Sequence, residues 1–79
     1  MNYKELVETI TKSLVDNPSE VSVQELSGVM NTVIEIKTAK DDIGKVIGKR
    51  GRTIAAMRSI LGAIGTKNGQ YVRLQVVEH

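Results

Sequence analysis

Two helix-forming patterns in this chain meet across four residues, Gly48-Lys49-Arg50-Gly51, with no spacer on either side. The full stretch runs Ile43-Gly44-Lys45-Val46-Ile47-Gly48-Lys49-Arg50-Gly51-Arg52-Thr53-Ile54. Glycine at both corners permits unusual backbone angles and lets another chain approach closely. A helix that starts directly after such a turn leaves its first N–H groups unpaired, and these donors, with the helix dipole, attract an anion. Lys49 and Arg50 between the glycines place charge at the same point. The stretch reads as a cradle of backbone and cations for a phosphate chain. Beside it, Ile43, Ile47 and Ile54 are expected to line a narrow apolar groove where bases lie flat. Gly44, one turn before Gly48, either opens the floor of that groove or lets the two helices pack closely.

The rest of the pattern places this turn in an α+β domain. Tyr3, Leu6, Val7, Ile10 and Leu14 recur at helical spacing, which predicts a first helix over about 2–15. Pro18 disfavours a helical Asn17 and ends it. Val21, Val23 and Leu26 suggest a strand over 20–26; Ser27-Gly28 marks a turn, and the β-branched alternation of 32–38 predicts a second strand, so the two form a hairpin. Lys40-Asp41-Asp42 opens a short helix to Ile47, with acids where the helix dipole favours them. A longer helix is expected over 51–64, then a loop at Gly65-Thr66-Lys67-Asn68-Gly69, then a strand through Val72, Leu74 and Val76. The order α-β-β-α-α-β puts a helix pair between the last two strands, which should be parallel neighbours. The expected result is a three-stranded mixed sheet covered on one face by helices. Its core should include Val21, Ile34, Ile36, Val72, Leu74 and Val76.

Seventy-nine residues make a single domain, 1–79. With no cysteine, neither disulfides nor thiolate metal sites can add stability, and the one histidine, His79, is a poor ligand or catalyst. No metal site, cofactor or catalytic residue is expected. The chain opens Met1-Asn2-Tyr3-Lys4-Glu5 without a basic-then-apolar leader, and no apolar run matches a bilayer, so a cytoplasmic location is expected. The balance of 11 Lys+Arg against 9 Asp+Glu is too even to argue for nucleic acid by itself. Distribution says more, since Lys45, Lys49, Arg50, Arg52 and Arg58 fall in one stretch without an acid.

Ile-Gly-Lys-Arg-Gly-x-x-Ile between two helices, within this strand order, resembles the type II KH family of nucleic-acid-binding domains. Across the whole chain it is similar to the KhpA family of small stand-alone bacterial RNA-binding proteins. The resemblance implies a type II KH fold and a single strand of RNA, about four nucleotides of it, clamped at the Gly-x-x-Gly loop, 48–51. Carried onto this sequence, the RNA-binding set is Gly44, Lys45, Ile47, Gly48, Lys49, Arg50, Gly51, Arg52 and Ile54. It further implies a homodimer, or a heterodimer with a larger KhpB-type partner, and a post-transcriptional regulator or RNA chaperone. Two tyrosines and no Phe or Trp fit a KH groove better than an aromatic stacking platform.

The long helix carries a second apolar stripe, Ala56, Ile60 and Ala63, beside Ile54, Met57, Leu61 and Ile64. Either the first helix covers this stripe or a second subunit does, and an isologous contact is the expected form. Other classes remain as alternatives. A Walker loop needs four residues between its glycines and a following Lys-Ser/Thr; here three separate Gly44 from Gly48 and Lys49-Arg50 follows, so an enzyme is not expected. A single-stranded DNA binder, or a dimerisation module with little RNA binding, is the remaining alternative.

Overall fold

The computed structural model describes residues 2–77; Met1 and the histidine at 79 lie outside the described residues. Helix α1 spans Tyr3–Leu14. It starts where Asn2 caps it, its side chain accepting from the Glu5 N–H at 2.8 Å. Val7 and Thr11 are buried, and Tyr3, Leu6 and Ile10 pack against the core. The chain leaves the helix at Val15, and Pro18 opens a 3₁₀ turn, Pro18–Glu20.

Strands β1, Ser22–Ser27, and β2, Asn31–Lys37, form the expected antiparallel hairpin, with Val23 opposite Ile36. Strand β3, Tyr71–Val76, lies parallel to β2 with Leu74 opposite Ile34, and the sheet order is β1-β2-β3. Alternation along β2 turns Thr32, Ile34 and Ile36 inward. Ile34 and Ile36 meet Val7, Val23, Val46, Ile54, Met57, Leu61 and Leu74 in one core. Val21, Val72 and Val76 are half-buried at its margin, and Val21 precedes β1 rather than belonging to it.

A 3₁₀ turn, Lys40–Asp42, leads into α2, Ile43–Ile47; after the Gly-x-x-Gly turn comes α3, Arg52–Lys67. Helix α3 therefore runs three residues beyond the expected end at 64, through three of the five residues read as a loop. The terminators form a compact cap instead. Gly69 N–H bonds to Thr66 O, and Gln70 N–H bonds to Gly65 O at 2.7 Å, the paired closure of a Schellman motif. Gly65 lies inside the helix, and only glycine fits there because β3 starts directly against it: a Cβ would sit 2.6 Å from Gln70 O and 2.9 Å from Val72 Cγ2. Among the described residues, no helix is long and apolar enough to cross a membrane.

Candidate nucleic-acid interface

The turn between α2 and α3 has a backbone that few residues tolerate. Gly48 N–H closes α2 on Gly44 O at 2.8 Å. Gly48 itself adopts φ 81°, ψ 171°, a region almost reserved for glycine. Any Cβ at this position would collide with the Thr53 side chain, lying 2.6 Å from its Cβ and 2.8 Å from its backbone N. Arg50 and Gly51 follow in left-handed conformation, φ 58° and φ 71°. For a side chain such as arginine this costs roughly 1–2 kcal/mol. Two bonds, Gly51 N–H to Gly48 O at 3.0 Å and Arg52 N–H to Lys49 O, tie the turn together.

The result is a 16-residue helix with no side-chain N-cap and no acid in its first turn. Lys49, Arg50 and Arg52 are all exposed around that end. Helix starts favour negative charge, by about 0.3–1 kcal/mol per group at the surface. Here cations crowd the positive end of a dipole, an arrangement that a bound anion relieves.

The apolar side is built unevenly. Ile43 and Ile47 are half-buried and offer surface next to the turn. Ile54, expected to line the groove, is only 6% exposed and sits in the core, so it offers little surface to a ligand. Gly44 is exposed, and a Cβ there would meet nothing within 4 Å. Close helix packing therefore does not explain Gly44.

Lys45, expected to reinforce the positive field, is directed elsewhere. Its ammonium pairs with Asp16 at 3.1 Å and Asp42 at 3.7 Å. The hydrogen bond and charge of Asp16 hold its pKa above the ordinary value. Asp42 has a role that the sequence reading does not include. Read as a helix-start acid, it does stand at the start of α2, but it is only 1% exposed and makes no side-chain cap to the helix. Its carboxylate accepts from Asp16 N (3.3 Å), Asn17 N (3.0 Å) and Asn17 Nδ2 (3.1 Å). Burial pushes its pKa up, but these hydrogen bonds and Lys45 outweigh burial and hold it below the usual value. Asp42 thus clips the α1–β1 connection to the start of α2. Nothing in the local pattern separates it from its exposed neighbour Asp41.

The second stripe of α3 is open. Ile60 is 48% exposed, and Ala56 and Ala63 are exposed beside it, so α1 does not cover it. Helix α1 instead meets the C-terminal end of α3, where Asn68 Nδ2 donates to Tyr3 Oη at 3.2 Å. Among the described residues, no cluster of three His, Cys, Asp or Glu could hold a metal ion.

A family model described as KhpA/KhpB, KH domain, matches residues 4–76. Curated relatives align over nearly the whole length. RNA-binding protein KhpA of Clostridium acetobutylicum is 45% identical over 74 residues, covering 94% of this chain and 99% of its own. The protein of the same name from Aquifex aeolicus is 47% identical over 75 residues, covering 95% of each. That from Chlamydia pneumoniae is 44% identical, covering 95% and 96%. These are names of binding proteins, in line with a chain that is not an enzyme. Among solved structures, Era in complex with MgGDPNP and nucleotides 1506–1542 of 16S ribosomal RNA superposes with a TM-score of 0.61 at 22% identity. That match covers 96% of this chain but only 30% of the Era chain, and it supports the fold alone. The α-β-β-α-α-β order, the Gly-x-x-Gly turn and these alignments agree, and the chain belongs to the KhpA/KhpB KH-domain family.

Proposed function

We propose that this protein binds single-stranded RNA, with the phosphate chain held at Gly48–Gly51 and the bases against Ile43 and Ile47. The observation that carries the reading is the start of α3: an uncapped helix end, ringed by exposed Lys49, Arg50 and Arg52, behind a turn that only glycine at 48 allows. Lys49 and Arg50 neutralise phosphates without reading sequence. Gly44 leaves the groove floor open, and Lys45 acts by bracing α2 more than by touching RNA. RNA binding by the relatives named KhpA supports the choice of ligand. Fluorescence anisotropy across a salt series, with Lys49→Asp/Arg50→Asp beside the native protein, tests it. The folded double variant is expected to lose binding. Each phosphate contact should contribute about 0.7 to the slope of log affinity against log salt. Equal binding by both proteins refutes the clamp, and a preference for matched DNA over RNA oligomers refutes the ligand.

The open stripe supports a second element of function, association through α3. Ile60 would anchor the contact and Ala56 and Ala63 would allow close approach, in a homodimer or with a KhpB-type partner. Two grooves on one RNA would then gain avidity, as a post-transcriptional regulator or RNA chaperone requires. Ile60→Asp should give a folded monomer in sedimentation; an unchanged mass for a native dimer would remove α3 as the interface.

A further inference from the structure

Helix α2 is too short to hold its own direction. It has five residues, Ile43–Ile47, and isolated helices below about 12–15 residues are marginal in water. Val46 seats it in the core and so fixes one point. The half-buried Ile43 and Ile47 ride on it. The turn continues from it without a break, since Gly48 N–H bonds to Gly44 O at 2.8 Å. A swing of α2 about Val46 would therefore carry both the apolar surface and the start of the Gly-x-x-Gly turn.

The second fixed point is Asp42, at the N-cap position of α2. Its carboxylate makes no cap bond and faces the α1–β1 connection instead. There it accepts from the N–H groups of two successive residues, Asp16 and Asn17, and from Asn17 Nδ2, all within 3.3 Å. Pro18 narrows the backbone choices of Asn17, so these donors come from a stiff segment. Three donors on one buried carboxylate make a link that water does not compete for. The Lys45 pairs lie further out. The lysine side chain is 43% exposed and that of Asp16 75%, so they add little. Asp42 itself cannot touch a ligand at the turn: it is buried, and Gly48 lies six residues on, about 9 Å along an α-helix.

We propose that Asp42 is a positioning residue for RNA binding: its bonds to Asp16 and Asn17 hold α2 in the direction that presents Ile43, Ile47 and the Gly48–Gly51 turn to the strand. The proposal rests on the clamp reading above. The test is anisotropy with a mixed-sequence RNA nonamer, comparing native protein, Asp42→Asn and the charge-neutral Asn17→Ala well below every Tm. Circular dichroism gives the folded fraction, and amide exchange by NMR gives local order. Asp42→Asn removes a negative charge from a protein that binds a polyanion, so charge alone would tighten binding. Loss of positioning acts in the opposite direction, because only molecules with α2 in place are competent. Asp42→Asn should weaken binding by about three- to tenfold per folded molecule, and Asn17→Ala by about twofold. The Gly48 and Gly51 amides, in a half-exposed turn that opens locally, should exchange faster in both variants. A loss of global stability alone would speed only the core amides of β2. Unchanged or tighter binding by folded Asp42→Asn overturns the proposal, and so does weaker binding with Gly48 and Gly51 exchange unmoved. Where Asp42→Asn does not fold, Asn17→Ala decides by the same two readings. Binding that ignores Lys49→Asp/Arg50→Asp refutes the clamp and the proposal with it. Loss in that double variant with none in the Asp42 and Asn17 variants refutes the positioning role alone.

Discussion

Replacing Gly48 with alanine adds one methyl group at a position where both the backbone and the neighbours refuse it. At φ 81°, ψ 171° a side chain costs on the order of 1–3 kcal/mol by itself. The new Cβ would also lie 2.8 Å from Thr53 N and 2.6 Å from Thr53 Cβ, on the first turn of α3, which cannot retreat without moving the helix. Together these place Gly48→Ala at about 3 kcal/mol of destabilisation. For a domain of this size that is a fall in Tm of roughly 12–24 °C. Two other glycines calibrate the reasoning. Gly51 shares a positive φ, 71°, but a Cβ there meets nothing within 4 Å. Gly51→Ala should therefore cost only the left-handed conformation, about 1–2 kcal/mol. Gly44 is helical with open space around it, so Gly44→Ala should stabilise by up to about 1 kcal/mol through helix propensity. Thermal and urea denaturation of the three variants gives the order directly. If Gly48→Ala is no worse than Gly51→Ala, the Thr53 collision does not constrain the turn and the argument fails.

Arg50→Gly should leave stability within about 0.5 kcal/mol, because relief of the left-handed conformation offsets the added freedom of the unfolded chain, yet it should weaken RNA binding and lower the salt slope. A large loss of stability would contradict this. Asp42→Asn should lower Tm at pH 7, since a buried carboxylate accepting from Asp16 and Asn17 is replaced by an amide that accepts fewer bonds. The native pKa of Asp42 is depressed, so its contribution is complete above the unfolded value of 3.8 and disappears as pH falls through the lower native value. The gap between native protein and variant should close over that acid window, and a gap independent of pH would show that charge is not the cause. Lys45→Ala should reduce stability more clearly than RNA affinity in the same two assays; the opposite result would return Lys45 to the RNA face.

The turn was legible in sequence because its signal is local: two glycines at fixed spacing between helical patterns dictate a corner whatever surrounds it. The strand order was legible for a similar reason, since the alternation of 32–38 and 72–76 is a period-2 pattern that no helix satisfies. What escaped was set by contacts distant in sequence. Gly65 and Gly69 read as loop residues beyond the helix, and only the start of β3 against α3 shows that Gly65 lies within the helix and Gly69 closes it. Asp42 and Asp41 are the same residue type at adjacent positions. The difference between a buried clip and a solvated acid lies in where Asn17 arrives. Lys45 was counted with the cations of the turn because spacing along a helix does not reveal Asp16 across from it. The exposed stripe at Ile60 was visible as excess apolar arc, whereas its freedom from α1 depends on where α1 packs.

Every residue of the proposed clamp lies within the segment that joins β2 to β3, two strands whose parallel pairing requires that segment to leave the sheet and return. The turn is therefore held as part of a closed ring, and its geometry is completed only when the last strand pairs. A chain ending at Gly69 would retain every candidate clamp residue and lose the parallel partner of β2, the Leu74 side chain from the core and the Gln70 N–H bond that helps to stop α3. Deletion far from the Gly-x-x-Gly turn would then dissolve the turn, because closure of the ring, not possession of the motif, gives the four residues their shape.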